Sequence, residues 1–339
     1  MRGRSLLLVV SIWLISALCA SAQLKTVAER LGYPPDSKLL IIHADDLAVA
    51  HSVDSAAFEA LEHGAVTSAS IMVPCPWLTE VAEYSKVHPD ADLGLHLTLN
   101  GEWKFYRWGP VESKDKVPSL LDPAGTLWST SEQVAKNVKP AEAEREIRAQ
   151  VERALAVGIH PTHLDTHMGS LMVSPELIAA YARVAHEYHL PFLFLKIPGM
   201  GQDVLSALKD NDVVLDSVKL ANPSVDPDHW KEFYLETIKT LKPGLTELIV
   251  HLGHDNAELQ AIMGGVPFGS EWRQRDFNVV NSPEFKKALQ ENHVILVKWK
   301  DLQKLMNSRN SGSVFQVQLT ICREVKHLIS SRDICRGLP

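Results

Sequence analysis

Beyond Lys38 the chain alternates short aliphatic or β-branched runs with amphipathic helical patterns. This alternation constrains the fold more than any other feature, because strands joined by helices run parallel and share one sheet. The order begins with a strand at Leu39 to Ile42, a helix "SVDSAAFEALEHG" closed by Gly64, a strand "VTSASIMVP", a helix "WLTEVAEYSKVHP" and a strand "DLGLHLTLN". It resumes with "PAEAEREIRAQVERALAVG", a helix with i,i+4 charge pairs on its outer face, then "PTHLDTH" as strand and loop, "SPELIAAYARVAHEYH" as helix and "PFLFLK" as strand. Helix "HWKEFYLETIKTLKPG", strand "TELIVHLGH", helix "SPEFKKALQEN" and strand "HVILVKW" bring the total to about seven βα steps. The fold class predicted is α/β, a TIM-like β/α barrel of seven or eight strands, complete or slightly incomplete.

Two internal stretches interrupt the alternation. Residues Gly101 to Lys139, rich in Trp, Pro, Gly and Lys, read as a long excursion or lid, and Ile197 to Asp228 follow no assignable pattern. At the start, Arg2 and Arg4 precede an apolar run and the small-x-small triplet Ala20-Ser21-Ala22, so residues 1–22 read as a cleaved secretory signal with Gln23 as the mature start. The run is short of the roughly 20 residues that a membrane span needs. A secreted or periplasmic product without stable membrane association is therefore expected. Residues 23–306 form the expected barrel domain, and 307–339, opening on the polar "NSRNSGS", a C-terminal appendage. Signal removal leaves Cys75, Cys322 and Cys335 with no CxxC pair, which does not indicate a thiolate zinc site, although Cys322 and Cys335 are free to pair in an oxidising compartment. The formal net charge of -7 argues against a nucleic-acid partner.

Fifteen histidines carry more information, because several stand beside acids at predicted strand ends. In parallel β/α folds functional groups collect at the C-terminal ends of strands. "LLIIHADD" ends in Asp45 and Asp46, with His43 just before them. "GLHLTLN" carries His96, "THLDTHMG" carries His163, Asp165 and His167, and "ELIVHLGHD" carries His251 and His254. Adjacent carboxylates repel and are costly to bury, so Asp45 and Asp46 call for a cation, a shared proton or water. One carboxylate with two neutral imidazoles suits a divalent metal. In an extended strand His163 and His167 would stand about 13 Å apart, so only one is a ligand, and His167, nearer the strand end, is the better placed. Asp165 or His163 then supports it from behind.

Taken in order, these residues resemble a known family. "IIHADDLAVAHSVDSAAFEALEHGAVTSASIMVP" is similar to the opening of the YdjC-like carbohydrate deacetylases, whose pattern runs strand, "NADDFG", helix, Gly, "TSTSLM". "LGLHLTLN", "HPTHLDTHMG", "ELIVHLGH" and the Arg-containing "EWRQRDFNVVNSPEFKKAL" follow in the family's order, and the resemblance covers roughly Lys38 to Leu305. It implies a β/α-barrel hydrolase that removes N-acetyl groups from amino-sugar oligosaccharides of the chito-oligosaccharide kind. Carried over by position, Asp46, His96 and His167 would hold a divalent metal, Mg²⁺ or Zn²⁺. Asp45 would be the general base and His251, protonated, the general acid. Arg273 would orient Asp45 or hold a sugar hydroxyl, while His43, standing where relatives have Asn, joins His163 and Asp165 behind the ligands. A backbone N–H after the acid pair would help to stabilise the oxyanion. The chain departs from the pattern at Leu47-Ala48, in place of Phe-Gly, at His251-Leu252-Gly253, in place of "HPG", and after His167, where further histidines are missing.

Two other readings fit the same residues. One is a different metal-assisted hydrolysis on the same barrel, disfavoured by the lack of a basic cluster to clamp phosphate. The other is an exported sugar-binding protein using Trp77, Trp103, Trp108, Trp230 and Trp272 as stacking platforms. Oligomeric partners are not legible.

Overall fold

The computed structural model describes residues 25–195, 201–266 and 269–307. The expected signal, Cys322, Cys335 and nearly all of the appendage lie outside these residues. Among the described residues seven strands make one all-parallel sheet: β1 (Lys38–Leu47), β2 (Ser68–Ile71), β3 (Leu93–Leu97), β4 (Leu164–Thr166), β5 (Ser217–Leu220), β6 (Gly244–Val250) and β7 (Val294–Leu296). The order is β4-β3-β2-β1-β6-β5, with β7 paired to β1. Strand β1 is central. One edge pairs with β6 from Lys38↔Gly244 to Ala44↔Val250. The other is shared between β7, at Lys38 to Leu40, and β2, at His43 to Leu47.

The strand expected at "PFLFLK" is reduced to single parallel bridges, Leu164↔Phe192 and Leu195↔Leu215, which carry the pairing past β4. The result fits an incomplete TIM-like β/α barrel. Strand β5 lies inside the stretch that had no assignable pattern. Its four residues, Ser217-Val218-Lys219-Leu220, alternate polar and apolar, but they are half-buried or exposed and too few to stand out from their neighbours.

Helices cover the outside of the sheet where the periodicity placed them. His51–Glu62 buries Val53, Ala56, Ala57 and Ala60, and the chain turns after it through Gly64 at φ 68°. Ser174 caps Pro175–Glu187 and Ser282 caps Pro283–Glu291, each accepting a main-chain N–H of the first turn with proline at its start. Among the described residues no helix is long and apolar enough to cross a membrane.

The Gly101 to Lys139 segment is not a loose lid. Trp103, Trp108, Val117, Leu120, Leu127 and Val134 are buried in the main core. From helix Pro140–Ala156 the buried Glu146 accepts the Val111 and Glu112 N–H groups at 2.8 and 2.9 Å. A segment that opens easily has few buried apolar contacts, whereas this one is a wall of the barrel mouth.

Candidate metal and acid-base site

Successive side chains of a strand point to opposite faces, so Asp45 and Asp46 in a regular β1 could not share a site. The backbone breaks the rule locally. Asp46 has φ 74° and Ala48 φ 73°, and the β1–β2 register slips between Ala44 and Leu47. Both carboxylates consequently line a cavity of ≈ 440 Å³, together with His96, Glu102, Trp103, His167, His251, Trp272 and Arg273. Asp54 fixes the turn from below, its Oδ1 accepting the Ala48 N–H at 2.6 Å.

Around Asp46 the partners divide by oxygen. Arg273 Nη2 donates to Oδ2 at 2.6 Å. Among the described residues Oδ1 has no hydrogen-bond partner, and it faces His96 Nε2 and His167 Nδ1, each at 3.4 Å. These three atoms lie within 4.8 Å of one another, a spacing that fits one divalent cation between a carboxylate and two imidazoles. Each imidazole is held from behind. His96 Nδ1 lies 2.6 Å from Asp165 Oδ1, and His167 Nε2 lies 2.9 Å from Glu102 Oε2. A carboxylate behind each ring fixes its orientation and tautomer, as at metal-binding histidines.

Asp45 sits beside this group. Its Oδ2 lies 3.7 Å from His96 Nε2 and 3.8 Å from His251 Nε2, and its Oδ1 lies 3.3 Å from His43 Nε2. Burial pushes Asp45 up to about 6, with Asp165 and Asp46 adding repulsion against His96 and His43. For Asp46 burial works in the same direction, but the Arg273 guanidinium, then His167 and His251, hold it well below the usual carboxylate range. Against burial, Glu102 and Asp46 push His167 up to about 10. His251 is pushed the other way, down to about 3, by burial and then by Arg273, His96 and His167. His251 thus starts neutral, where the sequence reading has it protonated.

Comparison with known proteins fits this geometry. The family described as "YdjC-like protein" matches residues 39–291. The chain belongs to the YdjC-like family. A carbohydrate deacetylase of Thermus thermophilus is 31% identical over 273 residues, covering 78% of this chain and 94% of the relative. A chitooligosaccharide deacetylase of Yersinia enterocolitica is 32% identical over 157 residues, covering 45% and 58%. Among solved structures, a protein of Enterococcus faecalis V583 proposed to cleave cellobiose phosphate superposes with TM-score 0.65 at 24% identity, covering 78% of this chain and 99% of that one, a likeness of fold.

The YdjC-like pattern accounts for most of the cavity's polar groups, and the structure adds particulars. Asp165 supports His96 across the sheet, through the register pair His96↔Asp165, rather than its own strand neighbour His167. Its other oxygen holds His43, which also contacts Ser70, all of them buried. His163 lies a layer deeper, stacked on Trp299 and packed so tightly on Gly94 that a Cβ there would stand 2.3 Å from its ring. Arg273 reaches Asp46, not Asp45. Of the backbone amides after the acid pair, those of Ala48 and Val49 are committed, to Asp54 Oδ1 and to the Asp46 carbonyl, which removes both as oxyanion donors.

Two residues escaped the sequence reading. Glu102 follows the end of β3 at the active face, a position that could have flagged it, but it fell inside the presumed excursion. Asp276, on helix Ser270–Val280, accepts from the His251 backbone N–H, Trp230 Nε1 and Tyr234 Oη at 2.9, 2.7 and 2.6 Å, anchoring the strand end that carries His251. Of the tryptophans weighed as platforms, Trp103, Trp108 and Trp230 are buried, while Trp272 lines the cavity beside the His251 ring at 4.9 Å.

Proposed function

We propose that the protein is a metal-dependent carbohydrate deacetylase that hydrolyses the N-acetyl amide of an amino-sugar oligosaccharide. The observation that carries this reading is the unpartnered Asp46 Oδ1 facing two carboxylate-backed imidazoles at 3.4 Å, with a second carboxylate, Asp45, beside them in one cavity. A divalent cation held by Asp46, His96 and His167 would supply a Lewis acid that polarises the acetyl carbonyl and acidifies water. Two nitrogen donors and one oxygen suit Zn²⁺, while Mg²⁺ prefers oxygen, so the donor set leans toward the softer ion.

The chain's own groups supply proton transfer. Asp45, ionised, accepts a proton from the attacking water. His251 Nε2, 3.8 Å from Asp45 Oδ2, is placed to relay that proton to the departing amine, a stronger base than either group, so that the transfer from Asp45 to the amine runs downhill overall. The amide gains the elements of water, and the products are acetate and a free amino sugar. Arg273 keeps Asp46 ionised and oriented, and Trp272 packs against the His251 ring.

A phosphoester reading is weaker. Arg273 is the one lysine or arginine among the described residues lining the cavity, and Asp46 already engages it. Export is part of the proposal and rests on residues 1–22 alone. The test is elemental analysis of the purified protein followed by acetate release from a panel of N-acetylated chito-oligosaccharides, with and without a chelator. Acetate release that the chelator abolishes supports the reading. No release from any member by metal-loaded protein, or release indifferent to the chelator, sinks it.

A further inference from the structure

We propose that Glu102 is a positioning residue that fixes how His167 offers Nδ1 to the cation, an inference resting on the metal reading of the site. A neutral imidazole has one N–H and one lone pair, and a carboxylate can only accept. A cation at this site takes the place of the Nδ1 proton; with Glu102 Oε2 2.9 Å from Nε2, the proton that stays belongs on Nε2, and Nδ1, 3.4 Å from Asp46 Oδ1, is left to the cation. Trp108 and His96 pack edge-on against the ring, but among the described contacts only Glu102 hydrogen-bonds Nε2 and so selects that tautomer.

The support is itself rigid. One residue earlier, the Gly101 N–H donates to the Trp128 carbonyl at 2.8 Å, and Trp108 Nε1 donates to the Asn100 carbonyl at 3.1 Å. Gly101 packs closely there, since a Cβ would stand 3.1 Å from the Trp108 ring. One residue later, the buried Trp103 lies under the Arg273 guanidinium, 5.6 Å from ring centroid to Cζ. The dipeptide Glu102-Trp103 therefore touches both partners that divide Asp46 between them, His167 through Glu102 and Arg273 through Trp103. His167 itself needs such a brace. It begins a short 3₁₀ stretch, His167–Met172, in which Met168 and Gly169 take φ 51° and 65°, so the strand ladder no longer constrains its ring. His96, inside β3, receives the same brace from Asp165.

Glu102 also borders the cavity, with its side chain 22% exposed, so the competing role is a direct contact to substrate. Titrating chelator-stripped protein with Co²⁺ separates the two roles, because cobalt reports on its ligands through visible absorption. Glu102→Ala is expected to weaken Co²⁺ binding about 10- to 100-fold and to alter the spectrum, with Glu102→Gln, which keeps an acceptor but not the charge, falling between it and the wild type. A cooperative thermal transition and an unchanged far-UV circular dichroism spectrum of metal-free Glu102→Gln guard against a folding defect. Cobalt affinity and spectrum unchanged in both variants would overturn the proposal. So would a rise in KM alone at unchanged metal affinity, or a wild type that binds no cobalt. Wild-type protein that binds cobalt but releases no acetate would sink the deacetylase reading and leave the Glu102 result standing.

Discussion

Arg273 and Asp46, buried and 227 residues apart in sequence, meet through one bond, Nη2 to Oδ2 at 2.6 Å. That bond decides which carboxylate oxygen remains for a cation. It also offsets much of the cost of burying Asp46 next to Asp45, since a charge-assisted bond to guanidinium is roughly twice as strong as a neutral one.

Replacing Arg273 with Met should leave Asp46 buried without its guanidinium partner, the largest of the charges that hold it ionised. Breaking one side of a buried pair costs about 3–5 kcal/mol, and a cation at Oδ1 would restore part of that. Urea unfolding is expected to show a large loss of stability in the metal-free variant and a smaller loss with excess Zn²⁺. Equal stability of variant and wild type in both conditions would contradict the arrangement.

Asp45→Asn should separate chemistry from metal binding. The amide cannot take the water proton, so kcat falls by about 10²- to 10⁴-fold. Asp46, His96 and His167 are untouched, and the Zn²⁺ dissociation constant, measured by competition with a chelating dye, should stay within a few-fold of the wild type. Turnover near the wild-type rate would remove Asp45 from the role of base.

The pH profile follows from the same carboxyl. Asp45 works ionised, burial raises it to about 6, and a cation beside Asp46 lowers it again. In metal-loaded enzyme kcat/KM should therefore fall only as the pH drops through about 6 or below. His251, pushed down to about 3, is already neutral across that range and should add no falling limb near the ordinary imidazole value of about 6.5. A bell-shaped profile whose alkaline side titrates near that value would show that His251 starts the reaction protonated.

Ala48 stands at φ 73°, where relatives of the YdjC-like pattern carry Gly. The left-handed conformation costs an L-residue about 1–2 kcal/mol, and glycine's greater freedom in the unfolded chain returns about 0.5–1 kcal/mol of that. Ala48→Gly should thus stabilise the protein by up to about 1 kcal/mol, read as a higher thermal midpoint. A lower midpoint would mean that the Ala48 methyl contributes more in packing than its backbone costs.

Much of this protein was determined by its sequence alone. Period-3.6 patterns marked the major helices, aliphatic runs marked β1, β2, β3 and β6, and acids and histidines at the ends of β1, β3, β4 and β6 marked the site, because burial and local propensity leave their record in neighbouring residues. Tertiary structure decided the rest. The left-handed kink that turns Asp46 to the same side as Asp45, the crossing of Asp165 to His96 through the β3–β4 register, and the meeting of Glu102 with His167 and of Asp46 with Arg273 all join groups that no local pattern relates. Such pairs depend on strand register and on loops packed into the core, whose positions are set by the fold as a whole. Residue type could therefore announce a candidate metal and acid-base site, while the division of each side chain's oxygens and nitrogens among its partners waited on the assembled fold.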